Sequence, residues 1–176
     1  GSDRILKLMN RKHKVEDYLN VYNKIKKINP DVEFSSDFII GYPGETEKDF
    51  LDTLDLLGKI RFVNSFSFIF SPRPGTTAAN LKMVNSEIAK KRLITIQEKL
   101  FNNQRELNKS MVDSKIEVLV ENKLPDQNKL FGRNKYLSSV IFKGNENLIG
   151  TLVDVKITSS NQNTLFGEIE TKMKAA

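Results

Sequence analysis

With 176 residues, a formal net charge of +6, 39% hydrophobic and 28% charged side chains, the sequence has the make-up of an ordered globular protein, which excludes a disordered tail. It contains no cysteine, which excludes disulfides, thiolate catalysis and any cysteine-ligated zinc or iron-sulfur centre within the sequence. No apolar run reaches a membrane-spanning length and none stands behind the N-terminal charges, so the expectation is a cytoplasmic protein without membrane contact.

The charge excess is uneven. Residues 1–110 carry 19 basic and 14 acidic side chains, whereas residues 111–176 carry 9 and 8, so net charge does not mark the C-terminal part as a nucleic-acid binder. In chain order, Val15, Tyr18, Leu19, Tyr22, Ile25 and Ile28 recur at helical spacing and Pro30 stops the pattern, which predicts an amphipathic helix over 15–28. Val32 to Ile40 ends in the apolar run Phe38-Ile39-Ile40 and predicts a parallel strand buried on both faces. The turn Gly41-Tyr42-Pro43-Gly44-Glu45 breaks it. Thr46 with Asp49 then caps a helix through Phe50, Leu51, Leu54 and Leu57, with Gly58 as its stop.

Val63 to Phe70 is the next predicted strand, alternating Phe66, Phe68 and Phe70 with Ser65, Ser67 and Ile69, and the proline-rich Ser71-Pro72-Arg73-Pro74-Gly75-Thr76 ends it. A long helix from Ser86, taken as its N-cap, to about Asn108 follows Ala89, Leu93, Ile96, Leu100 and Leu107. Alternating helices and strands with short connections imply a parallel sheet covered by helices, as in a β/α barrel or an open doubly wound sheet. After Met111 the period switches to two. Strands are predicted over 115–121, 130–133, 136–142, 148–158 and 164–170, a second domain for which closure into an OB-like antiparallel barrel protects the edges. The boundaries are 1–110 for the α/β part, 111–172 for the barrel and 173–176 for a frayed, disordered tail.

Strand-to-helix turns in α/β architectures gather backbone N–H groups and strand-end side chains, so the 41–45 turn is a candidate site, with Asp37 pointing into a lumen or crevice. A tight turn whose glycines serve geometry alone explains the same residues. Arg73, held between prolines, suits a carboxylate or phosphate, although a surface arginine in a structural turn explains it equally well. His13, the one histidine, reads as structural or solvated. Arg11 suits an anion, although a solvated charge run explains it equally well. Leu130-Phe131-Gly132-Arg133 with Lys135 and Tyr136 offers a basic, aromatic edge strand able to stack a base and meet a phosphate; an ordinary barrel strand with a polar outer face explains it too.

These segments together resemble the methylthiotransferase family of radical S-adenosylmethionine (SAM) enzymes. Ser2 to Leu6 with Met9-Asn10-Arg11-Lys12-His13 is similar to its SGSxxIL...MNRxH segment, and Ser36 to Phe50 to its SDFIxGxPGExxxDF segment. Phe70 to Ala79 matches F/YSxRxGTxA, and Gly132-Arg133 resembles the GR motif of the TRAM domain. The resemblance implies that the sequence holds the second half of a radical SAM barrel followed by a TRAM barrel.

The implied chemistry is reductive SAM cleavage to a 5'-deoxyadenosyl radical and insertion of a methylthio group, in the tRNA branch at C2 of an isopentenylated adenosine beside the anticodon. Implied cofactors are SAM and two 4Fe-4S clusters; the cluster ligands are absent from this chain, so no residue here is expected to be catalytic or to hold a metal, and the chain alone is expected to be inactive. Implied partners are the tRNA anticodon stem-loop and an electron donor, with a monomeric protein. By resemblance, Arg11 and Asp37 contact SAM, Gly41, Pro43, Gly44 and Glu45 shape its pocket, and Arg73 touches substrate or SAM. Phe131, Arg133, Lys135 and Tyr136 are the expected RNA contacts. The alternatives are a sister enzyme that modifies an aspartate of a ribosomal protein, a non-catalytic RNA-binding module, and a purely structural piece.

Overall fold

A computed structural model describes residues 1–125 and 128–169. The expected tail at 173–176 and the last residues of the 111–172 domain lie outside the described residues. The chain forms two compact units, Gly1–Leu100 and a second that begins at Phe101.

In the first unit, α1 (Asp3–Leu8) precedes α2 (Val15–Ile28), β1 (Asp37–Ile40), α3 (Glu47–Lys59) and β2 (Phe66–Ile69). Helix α1 has no counterpart among the expected elements, because six residues are too few for a periodic signature; Ser2 caps it, its side chain accepting the Ile5 N–H. The bounds of α2 match the predicted helix. It buries no residue fully, and its Val15, Tyr18, Leu19 and Tyr22 lean on the core.

The strands are shorter than predicted. Phe34 bridges Phe62 in parallel, then Asn64 turns left-handed at φ 46°, and pairing resumes only from Asp37 with Phe66 to Ile40 with Ile69. Only one face of β1 is buried, through Phe38 and Ile40, while Asp37 and Ile39 are exposed, so the expectation of burial on both faces is corrected. Phe66 and Phe68 lie on the same open side as Asp37 and Ile39 and are 64% and 54% exposed, their rings stacked 6.4 Å apart. The core beneath joins Phe38, Ile40, Phe50, Leu56, Leu57, Ile60, Phe62, Ile96 and Leu100, with Phe38 meeting Phe62 edge-on at 5.2 Å.

Thr46 and Asp49 form the anticipated capping box of α3. Gly58 does not stop that helix, which runs on through Lys59 to Ile60; the Ile60 N–H still donates to Leu56 O at 3.0 Å, and burial of Ile60 holds the last turn in place. Helix α4 (Ser86–Ser110) starts one residue after its true cap. Asn85, not Ser86, accepts the Glu87 and Ile88 N–H groups on its side-chain oxygen, at 2.9 and 3.3 Å.

The second unit closes into a barrel of β3 (Lys115–Lys123), β4 (Lys129–Asn134), β5 (Ser139–Lys143), β6 (Leu152–Ser160) and β7 (Thr164–Ile169), in the order β3-β4-β5-β7-β6. Four seams are antiparallel, but β5 and β7 run parallel, from Ser139 with Thr164 to Lys143 with Glu168. The expected all-antiparallel barrel is corrected there: β6 intervenes in sequence and returns the chain in the direction of β5. The mixed order is that of an OB-like barrel. Val118, Val120, Leu130, Val140, Phe142, Val155, Ile157 and Leu165 alternate inward and are fully or almost fully buried. Gly132 allows the β3–β4 seam to close tightly, since a Cβ there would stand 2.3 Å from Leu119 O and 2.6 Å from Val118 Cγ1.

Candidate functional site

The 41–45 turn is positioned from several sides. Gly41 sits at φ 72°, a conformation open to glycine and strained for other residues, and a Cβ there would come within 3.0 Å of Ala89 Cβ. Tyr42 is buried, donates its hydroxyl to Leu8 O at 3.1 Å and meets Phe70 edge-on at 5.0 Å. Pro43 is buried beside it, whereas Gly44 is exposed and gives its carbonyl to Arg4 Nη2 at 2.6 Å. Glu45 closes the turn: its N–H donates to Tyr42 O at 2.8 Å, and its carboxylate accepts the Gly41 N–H at 3.1 and 3.2 Å.

Two charged ties that the sequence reading missed hold this region. Asp49, beyond capping its own helix, accepts Ser2 Oγ at 2.6 Å and both Nε and Nη2 of Arg4. The hydrogen bond from Arg4, reinforced by Ser2 and Thr46, holds the Asp49 carboxyl well below the usual carboxylate range. The second tie is Arg92 of α4, which donates Nη1 to Glu45 Oε1 and Nη2 to Glu47 Oε2, both at 2.8 Å. Burial nonetheless pushes the Glu45 carboxyl up, against the opposing pull of Gly41 N–H and Arg92. The sequence did carry a sign of Arg92. It stands three residues after Ala89 and four before Ile96, a cation on the apolar stripe of a helix.

Arg11, Asp37 and Glu45 line one cavity of about 370 Å³, together with Ser2, Met9, His13, Tyr18 and Phe62 among others. Gly41, Pro43 and Gly44 form the turn that carries Glu45 and are not part of this lining. Arg11 is set by the chain reversal after α1, where its N–H donates to Leu6 O at 2.8 Å and Asn10 adopts φ 58°. Arg11, His13 and Asp37 are exposed. The side chains of Arg11 and Asp37 have no hydrogen-bond or ion-pair partner among the described residues, which leaves a guanidinium and a carboxylate free on the walls of one cavity. Arg73 is exposed on the loop after β2 and outside this lining; its carbonyl accepts Thr76 N–H and Oγ1 at 3.2 and 2.8 Å. Among the described residues no group of three or more His, Asp or Glu side chains is placed to hold a metal ion.

On the barrel, β4 is not an edge. It pairs with β3 on one side and β5 on the other, the strands before and after it in sequence. Phe131 and Arg133 are two apart and share its outward face, the Arg133 guanidinium 5.8 Å above the Phe131 ring and 3.8 Å from Glu121. Lys135 and Tyr136 lie on the tight β4–β5 turn and not on a strand, because the Asn134 side chain accepts the Tyr136 and Ser138 N–H groups at 2.9 and 3.0 Å. Lys135 Nζ stands 4.9 Å from the Tyr136 ring centre. The four residues thus form two adjacent cation–aromatic pairs.

Residues 1–57 match the Radical SAM superfamily and residues 109–169 match the TRAM domain, so the chain joins a radical SAM segment to a TRAM domain. More narrowly, it is 60% identical over 174 residues to the tRNA-2-methylthio-N(6)-dimethylallyladenosine synthase of Pelagibacter ubique (strain HTCC1062), an alignment covering 99% of this chain and 39% of that protein. It is 46% identical over 170 residues to the synthase of the same name from Ruthia magnifica subsp. Calyptogena magnifica, covering 96% of this chain and 38% of the relative. The Wolbachia pipientis wMel protein of that name is 42% identical over 170 residues, covering 95% and 39%. The chain therefore spans about two-fifths of the length of these relatives. No described helix is long and apolar enough to cross a membrane.

Proposed function

We propose that this chain is the part of a tRNA methylthiotransferase that supplies one wall of the SAM site and the RNA-binding barrel. The observation that carries the proposal is the pair of unpartnered charges, Arg11 and Asp37, on the same cavity as Glu45. A cavity of about 370 Å³ is of the size that small-molecule sites take, and its donor set suits a zwitterionic nucleoside. Arg11 would hold the methionine carboxylate through its planar fork, and Asp37 would accept hydrogen bonds from the ribose diol or the amino group. Glu45, carried by the 41–45 turn, would bound the cavity on the nucleoside side, and Arg73 would meet the substrate from the loop after β2.

Bound SAM supplies the hydrogen-abstracting and methyl-donating chemistry of the reaction. This chain's own residues bind and orient it, and none moves a proton. An iron-sulfur cluster does not fit the chain: there is no thiolate to ligate it, so on this reading the two 4Fe-4S clusters take their ligands from outside this sequence and are reduced by a partner electron donor. The chain alone is inactive on this reading.

Phe131, Arg133, Lys135 and Tyr136 are proposed as the tRNA contacts, stacking on unpaired bases of the anticodon stem-loop while the cations meet phosphates. The names of the relatives favour C2 of the N6-dimethylallyl adenosine beside the anticodon over a ribosomal-protein aspartate. We assign the activity to the cytoplasm and to a monomer. The test is mass spectrometry of nucleosides from digested tRNA of cells with and without the gene. Deletion is expected to remove 2-methylthio-adenosine derivatives and to accumulate the dimethylallyl precursor. An unchanged profile refutes the reading.

A further inference from the structure

We propose that Arg92 is a positioning residue of the cavity, the clamp that fixes the 41–45 turn and aims Glu45 at its wall; the proposal rests on the reading of that cavity as a SAM site. Arg92 comes from α4, far along the sequence, and its side chain is 8% exposed against 5% for Glu45. A guanidinium that deeply buried is costly unless its donors meet acceptors; here Nη1 is spent on Glu45 of the turn and Nη2 on Glu47 at the start of α3, while the buried Nε has no partner among the described residues. Nη1 reaches both the Glu45 carboxylate at 2.8 Å and the Glu45 carbonyl at 3.3 Å, and Nη2 reaches Glu47, whose side chain is 67% exposed. The plane of the guanidinium is backed by the Phe50 ring, 5.3 Å away.

The same carboxylate that Arg92 holds also accepts the Gly41 N–H, so Glu45 is a strut joining the two ends of the turn. One helical turn earlier, Ala89 closes on Gly41. Helix α4 thus grips the turn at both ends, through a steric contact at Gly41 and a charged one at Glu45. With both carboxylate oxygens committed to the protein, Glu45 shapes the wall without needing to bind ligand itself. Lysine in place of Arg92 has one ammonium and cannot span Glu45 and Glu47 in one plane.

The test uses the complete protein carrying this chain and S-adenosylhomocysteine as probe, with its Kd from calorimetry and local amide exchange from mass spectrometry. R92A strands the buried Glu45 charge and is expected to destabilise the unit, so the decisive variant is R92M/E45Q, which removes both buried charges and keeps the side-chain volumes. It is expected to melt close to the unsubstituted protein, to bind the probe about tenfold more weakly and to exchange the 41–45 amides faster, with the rest of the unit protected as before. R92K is expected to fall between the two, and E47Q, which alters only the exposed arm, to change Kd by less than about twofold. Unchanged Kd and unchanged exchange at 41–45 in R92M/E45Q overturn the proposal, as does a loss of protection spread over the whole unit. If the unsubstituted protein does not bind the probe, the SAM reading of the cavity has failed, which is a different result from a clamp that does not matter.

Discussion

Among the described residues of the first unit, β1 and β2 pair only with each other and leave Phe66 and Phe68 open to solvent, whereas every strand of the second unit has a neighbour on both sides. The second unit holds its loops with uncharged side chains, Asn134 at the β4–β5 turn and Asn108 on the carbonyls of Asn161 and Gln162, around a barrel interior of Val, Ile, Leu and Phe where Gly132 lets the strands approach. The first unit instead holds its loops with buried charges, through Asp49 to Ser2 and Arg4 and through Arg92 to Glu45 and Glu47. The contrast shows where each unit can present side chains to a ligand. On the barrel these are outward strand and turn positions that closure leaves free, and in the first unit they are loop residues such as Arg11 that the tie network frames without using.

The largest expected effect comes from cutting into the apolar core of the first unit. L57A, at a residue 1% exposed, is expected to cost about 3–4 kcal/mol, read by denaturant unfolding, with exchange accelerating in the first unit while the inward residues of the barrel stay protected. The reciprocal change is G132A. It drives a Cβ against Leu119 O and is expected to cost about 3 kcal/mol, the accelerated exchange now falling on β3 and β4. If either substitution loosens both units equally, the two are less independent than their separate cores suggest.

D49N tests whether charged ties hold the first unit's loops. It keeps the size of the side chain but weakens the bonds from Ser2 and Arg4, with an expected cost of about 2 kcal/mol. The same tie gives a pH signature. Because the folded Asp49 carboxyl titrates below its unfolded value of about 3.9, its stabilisation is present above that pH and is lost as pH falls further toward the folded value. Below about pH 4, therefore, the amides around Ser2, Thr46 and Asp49 should lose protection in wild type, and D49N should lack that acid step. The smallest effect belongs to R133A, expected to weaken tRNA binding a few-fold and to lower the slope of log K on log salt by about 1, with melting unchanged.

Much of this was legible in the sequence where the cause is local. Pro30 ends the periodicity of α2, and the Thr46–Asp49 pair announces α3, because caps and stops act over a few residues. The switch to period two after Met111 marked the run of barrel strands for the same reason, although the second unit begins earlier, at Phe101 in α4. What escaped depended on distant partners. The left-handed Asn64 that shortens β1 and β2, the parallel β5–β7 seam that helps close the barrel, and the Arg4–Asp49 contact join residues that no local window sees together. In the candidate site, Arg11, Asp37 and Glu45 were each visible as residue types near turns, but their meeting on one cavity came from the fold. Arg92 lay on an apolar stripe, where a cation has to have a buried partner, yet its partners are 47 and 45 positions away in sequence.

The division of labour between the units is tested most directly by amide exchange of the complete protein with S-adenosylhomocysteine or with an anticodon stem-loop RNA. The nucleoside is expected to protect segments around Arg11, Asp37 and Gly41–Glu45 and to leave the barrel unchanged, while the RNA protects Phe131–Tyr136. Protection by the nucleoside in the barrel alone, or RNA binding that leaves Phe131–Tyr136 exchanging as before, would contradict the assignment of SAM to the first unit and tRNA to the second.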